Sequence, residues 1–246
     1  MADLALLRQG QAENSGLVPH TDRSPLLSRV LLPVVPDRRP LRTVVLVVGL
    51  AAYGASIALM LRSDLGVMPW SVLDQGLSRT FGGEVGTWSI ATAVLVLLCW
   101  IPLRQRPGVG TLVNVVLVGL SINATLALVP AGAGEGAVAA WSLLLAGVVL
   151  NALATGVYVG AGLGPGPRDG LSIGLAAKGL PLRVARTGVE LLVLGIGFAL
   201  GGTVGWGTLV YALAIGPLVH RTIPAFRLRT PAERAGGPGP AAAPAH

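Results

Sequence analysis

The stretch Leu65-Gly66-Val67-Met68-Pro69-Trp70-Ser71-Val72-Leu73 returns 98 residues later as Leu163-Gly164-Pro165-Gly166-Pro167-Arg168-Asp169-Gly170-Leu171. Both copies keep Leu-Gly-x-x-Pro, and Gly76 matches Gly174 at the same offset. A residue out of step, Gly110-Thr111 matches Gly207-Thr208 and Gly119 matches Gly216. Each copy sits among long apolar runs. A unit written twice in such a chain is the sequence sign of a membrane protein made of two repeats.

Composition agrees. The 246 residues are 52% hydrophobic and only 12% charged, with a mean hydropathy of +0.71. A soluble chain carries about twice that charged fraction. Residues 43–61, 87–103, 109–129, 137–161 and 206–223 lack strong ionisable groups, apart from His220 and Arg221 near the end of the last. Each approaches or exceeds the ~17 residues needed to cross a hydrocarbon core. A sixth stretch, 184–200, is apolar except for Arg186 and Glu190. The expected class is all-α: a polytopic membrane protein with six transmembrane helices in two inverted three-helix repeats, 41–129 and 137–223.

The ends are different in kind. Residues 1–39 are polar and broken by prolines, with no signal-peptide pattern, and are expected to be a disordered cytoplasmic tail. Residues 226–246 form a Pro/Ala/Gly tract expected to be disordered as well. The membrane domain is therefore expected over 40–225.

Between the first and second crossings of each repeat lies a short segment, 69–80 and 167–178. A Pro at the first helical position is favourable because its missing N–H has no partner to lose. Twelve residues of helix reach about 18 Å, too little to span. Each is expected to be a re-entrant or interfacial half-helix. In the first, Trp70, Leu73 and Leu77 share one face, and Ser71, Asp74 and Ser78 another.

Three crossings per repeat force the second repeat upside down relative to the first. With the N-terminus inside, sixteen of the eighteen basic residues fall on the cytoplasmic side, leaving only Arg62 and Arg79 outside. This is the bias that membrane insertion requires. If the short segments spanned, Arg104 and Arg106 would lie outside. Both termini are thus expected in the cytoplasm. The net charge of +7 comes without a basic stripe interleaved with aromatics, so nucleic acid is not an expected partner. The partner is the lipid bilayer.

Few residues carry chemistry. Gly66, Pro69, Gly164 and Pro167 form the two elbows. They either only turn the chain, or aim a half-helix N-terminus at a cavity, where free N–H groups suit an anionic group. Arg186 and Glu190 stand at i, i+4 inside an apolar stretch, facing Trp88 and Thr92 in the first repeat's register. They are either a packing brace or a switchable pair, since intramembrane charges default to function. Asp169 either caps its helix or joins Arg168, Arg183, Arg186 and Glu190 at the inner mouth of a pathway. Asp74 is expected as the counterpart on the outer side. No Ser/His/Asp or Cys/His set, Walker motif or dinucleotide fingerprint occurs, and Cys99 is alone. No enzyme, cofactor or metal site is expected. Seventeen arginines to one lysine suggest a GC-rich bacterial genome.

Pro69-Trp70-Ser71-Val72-Leu73-Asp74-Gln75-Gly76 and Trp100-Ile101-Pro102-Leu103-Arg104-Gln105-Arg106-Pro107-Gly108 resemble the YczE/YyaS/YitT-type bacterial integral membrane proteins, closest to the YczE branch. So do Pro167-Arg168-Asp169-Gly170-Leu171, Arg186 with Glu190, and Gly201-Gly202 through Gly205, Gly207-Thr208 and Gly216-Pro217. The resemblance implies a multi-pass protein of the bacterial plasma membrane and leaves Arg168, Asp169, Arg186 and Glu190 intact. Ser71, Asp74 and Asn123 depart from the family's usual Asp, His and Asp. The function expected on these grounds is a transporter-like permease for a small solute, an anionic one suiting the half-helix dipoles. The alternative is a non-transporting accessory or scaffold protein. Substrate, coupling ion and oligomeric state are left open.

Overall fold

The computed structural model describes residues 39–228. The expected tails lie outside the described residues, apart from Arg39 and residues 226–228. Among the described residues there are eight α-helices, one 3₁₀ turn at Ala131–Gly134 and no strand. The helices are α1 Arg39–Arg62, α2 Pro69–Phe81, α3 Val85–Leu103, α4 Val109–Leu128, α5 Ala137–Gly160, α6 Pro167–Ala176, α7 Leu182–Ala199 and α8 Trp206–Phe226. Five of them, α1, α3, α4, α5 and α8, are long and apolar enough to cross a membrane. The remaining long helix, α7, carries Arg183, Arg186 and Glu190 and is not among them.

Polarity is arranged inside out. Leu95, Leu98, Ile101, Leu120, Leu191, Leu192, Phe198 and Leu213 are exposed, whereas Ser56, Ser71, Asp74, Gln75, Ser89, Thr92, Thr111, Asn151 and Thr208 are buried. In water that distribution would be heavily penalised; with lipid as solvent, apolar side chains lose nothing by facing out. Buried polar groups then need partners within the bundle.

The apolar core surrounds α1, which packs along α4 and α5. Leu46, Leu50, Ile57, Met60, Ile122, Leu144 and Val148 form its centre. Close approach depends on glycine. A Cβ on Gly49 would stand 2.7 Å from the backbone nitrogen of Tyr158, and one on Gly147 would stand 2.7 Å from Met60. Two arginines tie α1 to its neighbours. The buried Arg42 donates from Nη1 to the Ala161 carbonyl just beyond α5 (2.8 Å). At the other end, Arg62 donates to the carbonyls of Leu126 and Val129 where α4 finishes. Both place a cation on orphan carbonyls at the negative end of a helix dipole.

The two elbows are built alike. Gly66 and Gly164 have φ of 105° and 124°, a region that favours glycine. The N-caps of the short helices, Met68 and Gly166, share φ/ψ of −61°/151° and −62°/156°. Each elbow hooks the other half of the chain. The Leu65 carbonyl accepts a hydrogen bond from Gly207 N–H at the start of α8 (2.7 Å), and the Leu163 carbonyl accepts one from Gly110 N–H at the start of α4 (2.9 Å). Short helix α2 packs chiefly on α7, and α6 chiefly on α3. Each half therefore holds the other's short helix. One contact breaks the correspondence. Helix α3 packs along α4, through Gly86 against Gly119, while α7 and α8 make no comparable contact and a Cβ on Gly216 would meet nothing within 4 Å.

Candidate functional site

The polar face of α2 is its inward face. Ser71, Asp74 and Gln75 are buried, whereas Arg79 and Thr80 at the free end are exposed and donate to the carbonyls of Gly201 and Leu200 (2.6 and 3.0 Å). Burying a carboxylate in such a bundle is costly unless it is paired and hydrogen-bonded. Asp74 is both. Arg168 Nη2 lies 3.1 Å from Asp74 Oδ2, with side-chain exposures of 18% and 1%. Thr92 Oγ1 donates to Asp74 Oδ1 (2.7 Å), and Arg168 Nη2 also donates to Ser89 Oγ (3.2 Å). The Arg168 guanidinium sits 5.0 Å from the centre of the Trp70 ring, within cation–π reach.

Three elements fix this cluster. Asp74 and Trp70 are one turn apart on α2, Ser89 and Thr92 one turn apart on α3, and Arg168 is in the first turn of α6. The first turn of α6 is itself pinned. Trp100 Nε1 donates to the Pro167 carbonyl (3.0 Å), and the Trp100 ring fills the space a Cβ on Gly170 would need. Trp70 and Arg168 are matching positions of the repeated motif, so the two short helices meet at their own starts.

Asp74 therefore does not stand apart from Arg168 on the outer side; it is Arg168's partner. Two ion pairs stand within the expected network, Asp74–Arg168 and Arg186–Glu190, and Asp169 lies within electrostatic reach of both arginines. Arg186 and Glu190 pair on α7 (3.1 Å) with side chains 62% and 40% exposed, as the i, i+4 spacing implied. Asp169 lies one position beyond Arg168 in the first turn of α6, half-buried. Ser71 Oγ, in the first turn of α2, is buried without a hydrogen-bond partner. A cavity of about 230 Å³ touches α2 at Gln75 and Arg79 and is otherwise lined by Leu61, Arg62, Asp64, Val85, Leu126 and Ala131. Gln75 there accepts from Thr203 N–H (2.7 Å). Among the described residues no group of His, Cys, Asp and Glu is placed to hold a metal ion.

Sequence reasoning gave no site role to Ser89, Trp100 or the tyrosines. Ser89 and Thr92 did carry a signal: two hydroxyls at i, i+3 share a face of an otherwise apolar helix. Trp100 opens one of the stretches that resemble the YczE-type proteins, but nothing in the spacing marks its partner, which is remote in sequence.

An all-helical bundle with five membrane-length apolar helices and an ion pair buried between its short helices is a multi-pass membrane protein. The chain belongs to the family described as "Family of unknown function (DUF6198)", which it matches over residues 40–224. It is 35% identical over 176 residues to the Bacillus subtilis "Uncharacterized membrane protein YczE", covering 70% of this chain and 80% of that one. An "Uncharacterized protein" of Haemophilus influenzae is 34% identical over 177 residues, covering 72% and 80% of the two chains. The Bacillus subtilis "Uncharacterized protein YyaS" is 29% identical over 187 residues, covering 72% and 90%. The resemblance to YczE-type proteins read from the motifs is thus borne out. No solved structure matches the chain.

Proposed function

We propose that the protein is a permease of the bacterial plasma membrane that carries a small solute between two inverted three-helix repeats. In this reading α7 is the sixth crossing, α2 and α6 are re-entrant, and both termini face the cytoplasm. The observation that carries it is the Asp74–Arg168 pair. A buried ion pair joining two short helices of different repeats, flanked by hydroxyls, is the kind of group that lines a solute path. The reciprocal elbow hooks support the inverted relation, since each half makes to the other the contact it receives.

The unequal helix pairs supply the second state. Helices α3 and α4 are closed on one another while α7 and α8 stand apart. If the halves exchange these conformations, the path opens first on one side and then on the other. With the N-terminus inside, the open side is cytoplasmic. The cavity beside Gln75 is then an outer vestibule one residue from Asp74. The test is uptake in proteoliposomes across a panel of small metabolites. Wild-type protein should take up at least one that Asp74→Asn and Glu190→Gln variants do not. A panel showing no substrate-dependent difference counts against transport.

A second reading is favoured by one fact: Asp74 is fully satisfied within the bundle, as a structural brace would be. The protein would then be an accessory or scaffold that assists a partner. A retained cellular phenotype when Arg168 and Glu190 are neutralised together, with a co-purifying partner, would favour it.

A further inference from the structure

The cavity of about 230 Å³ has a polar lining that the fold uses only in part. Arg62 closes α1, Asp64 follows it toward the first elbow, and Gln75 and Arg79 stand one turn apart on α2. Leu61, Val85, Leu126 and Ala131 add an apolar wall. A cavity of roughly 150 Å³ between apolar side chains holds a benzene. This one therefore has room for a molecule of that size with polar ends added.

Each polar group has bonding capacity to spare. Arg62 donates from Nε and Nη2 to the carbonyls of Val129 and Leu126, and Arg79 from Nη1 to that of Gly201. Arg62 Nη1 and Arg79 Nε and Nη2 are left without an acceptor among the described residues. Gln75 is only 7% exposed; its Oε1 accepts from Thr203 N–H, but its amide nitrogen donates to nothing among the described residues. A buried amide with both its N–H groups idle is uncommon and points to a missing acceptor. Asp64 is exposed, and among the described residues its carboxylate has neither an ion-pair nor a hydrogen-bond partner. Two guanidiniums and a carboxylate thus border one cavity without pairing across it. The carbonyls that hold the arginines are neutral and leave their charge in place.

A molecule carrying both signs suits this lining better than one carrying either. An anion alone would meet Asp64, and a cation alone would meet two arginines. We propose that the cavity binds a small zwitterion with an apolar side chain, an aliphatic α-amino acid. Its carboxylate takes charge-assisted hydrogen bonds from Arg62, Gln75 and Arg79. Its ammonium faces Asp64, and its side chain lies on Leu61, Val85 and Leu126. This names the solute class of the permease proposed above and rests on that reading for its physiological meaning; binding itself can be tested without transport.

The experiment is thermal unfolding of the purified full chain in detergent, titrated with L-valine. The comparison ligands are isovalerate, which is valine without its amine, and isobutylamine, which is valine without its carboxylate, at matched ionic strength. The expected result is a saturable rise in Tm with L-valine. Either partial ligand should need a concentration about tenfold higher or more, since each lacks one charge-assisted contact. Asp64→Asn should fold, because the side chain has no partner and asparagine tolerates its φ of 51°. It should bind L-valine more weakly by the same factor, yet bind isovalerate at least as well as wild type does. Arg79→Gln should weaken both. A purely structural role for Asp64 would not exchange one ligand preference for the other. An equal response of wild type to L-valine and isovalerate, an unchanged L-valine response in Asp64→Asn, or no response to L-valine would each overturn the site. Binding of L-valine without its uptake in proteoliposomes would leave the site standing and remove the permease. Uptake of another solute without L-valine binding would do the reverse.

Discussion

At the scale of single residues, the Asp74–Arg168 pair and the buried glycines set the sharpest expectations. Removing one member of a buried pair strands the other charge, at a cost of about 3 kcal/mol or more. Asp74→Ala should lower thermal stability in detergent by that order, and Asp74→Ala combined with Arg168→Ala should recover part of the loss. Additive losses would mean that the two side chains act separately. Ser71→Ala should instead be neutral or stabilising by about 1 kcal/mol, because Ser71 Oγ is buried without a partner. Gly66→Ala forces a Cβ into a positive-φ backbone and to within 2.6 Å of Gly205 N. It should cost at least about 2 kcal/mol, whereas Gly201→Ala, with positive φ but open space, should cost less. Equal melting temperatures would remove the elbow argument. The motif made Gly66, Pro69, Gly164 and Pro167 legible because a turn leaves a local signature. Asp74 and Arg168 were each visible as charges in an apolar chain, but not as partners: no period or spacing encodes a contact between residues 94 apart.

At the scale of elements, the helices followed from length, apolar runs and Pro-led starts, and their observed ends differ from the expected ones by a few residues. The short helices were legible for the same reason, since twelve residues between elbow and loop cannot reach across a bilayer. What the sequence could not supply was which neighbour each would choose. Helix α2 lies on α7 and α6 on α3, a choice made by glycine surfaces: Gly76 under Gly197 and Leu200, Gly174 under Leu103 and Gln105. The clasp between α3 and α4 also escaped notice. Asn123 accepts from Gly86 N–H (2.7 Å) and donates to Glu84 and Thr87. In a background with Cys99→Ser, the pair Thr87→Cys and Asn123→Cys should cross-link readily, and the corresponding Ala185→Cys and His220→Cys poorly. Adding a transported solute should shift yield from the first pair to the second. Fixed yields would argue for a static bundle.

At the scale of the whole molecule, the distribution of arginines and the count of crossings make one claim about orientation. A tag placed in the turn at residues 104–107 should be reachable only from the cytoplasm, and one at residues 131–136 only from outside. The reverse pattern, or both tags on one side, would dismantle the inverted arrangement. The two hooks also bear on how the protein comes to be. The Leu65 carbonyl waits for Gly207, which leaves the ribosome only after nearly all of the membrane domain has been made. During synthesis the first half must sit in the bilayer with its elbow unfinished and Asp74 lacking Arg168. It is in that interval that a chaperone or insertase would have something to hold, and a chain truncated before α8 should be degraded rather than persist as half a protein.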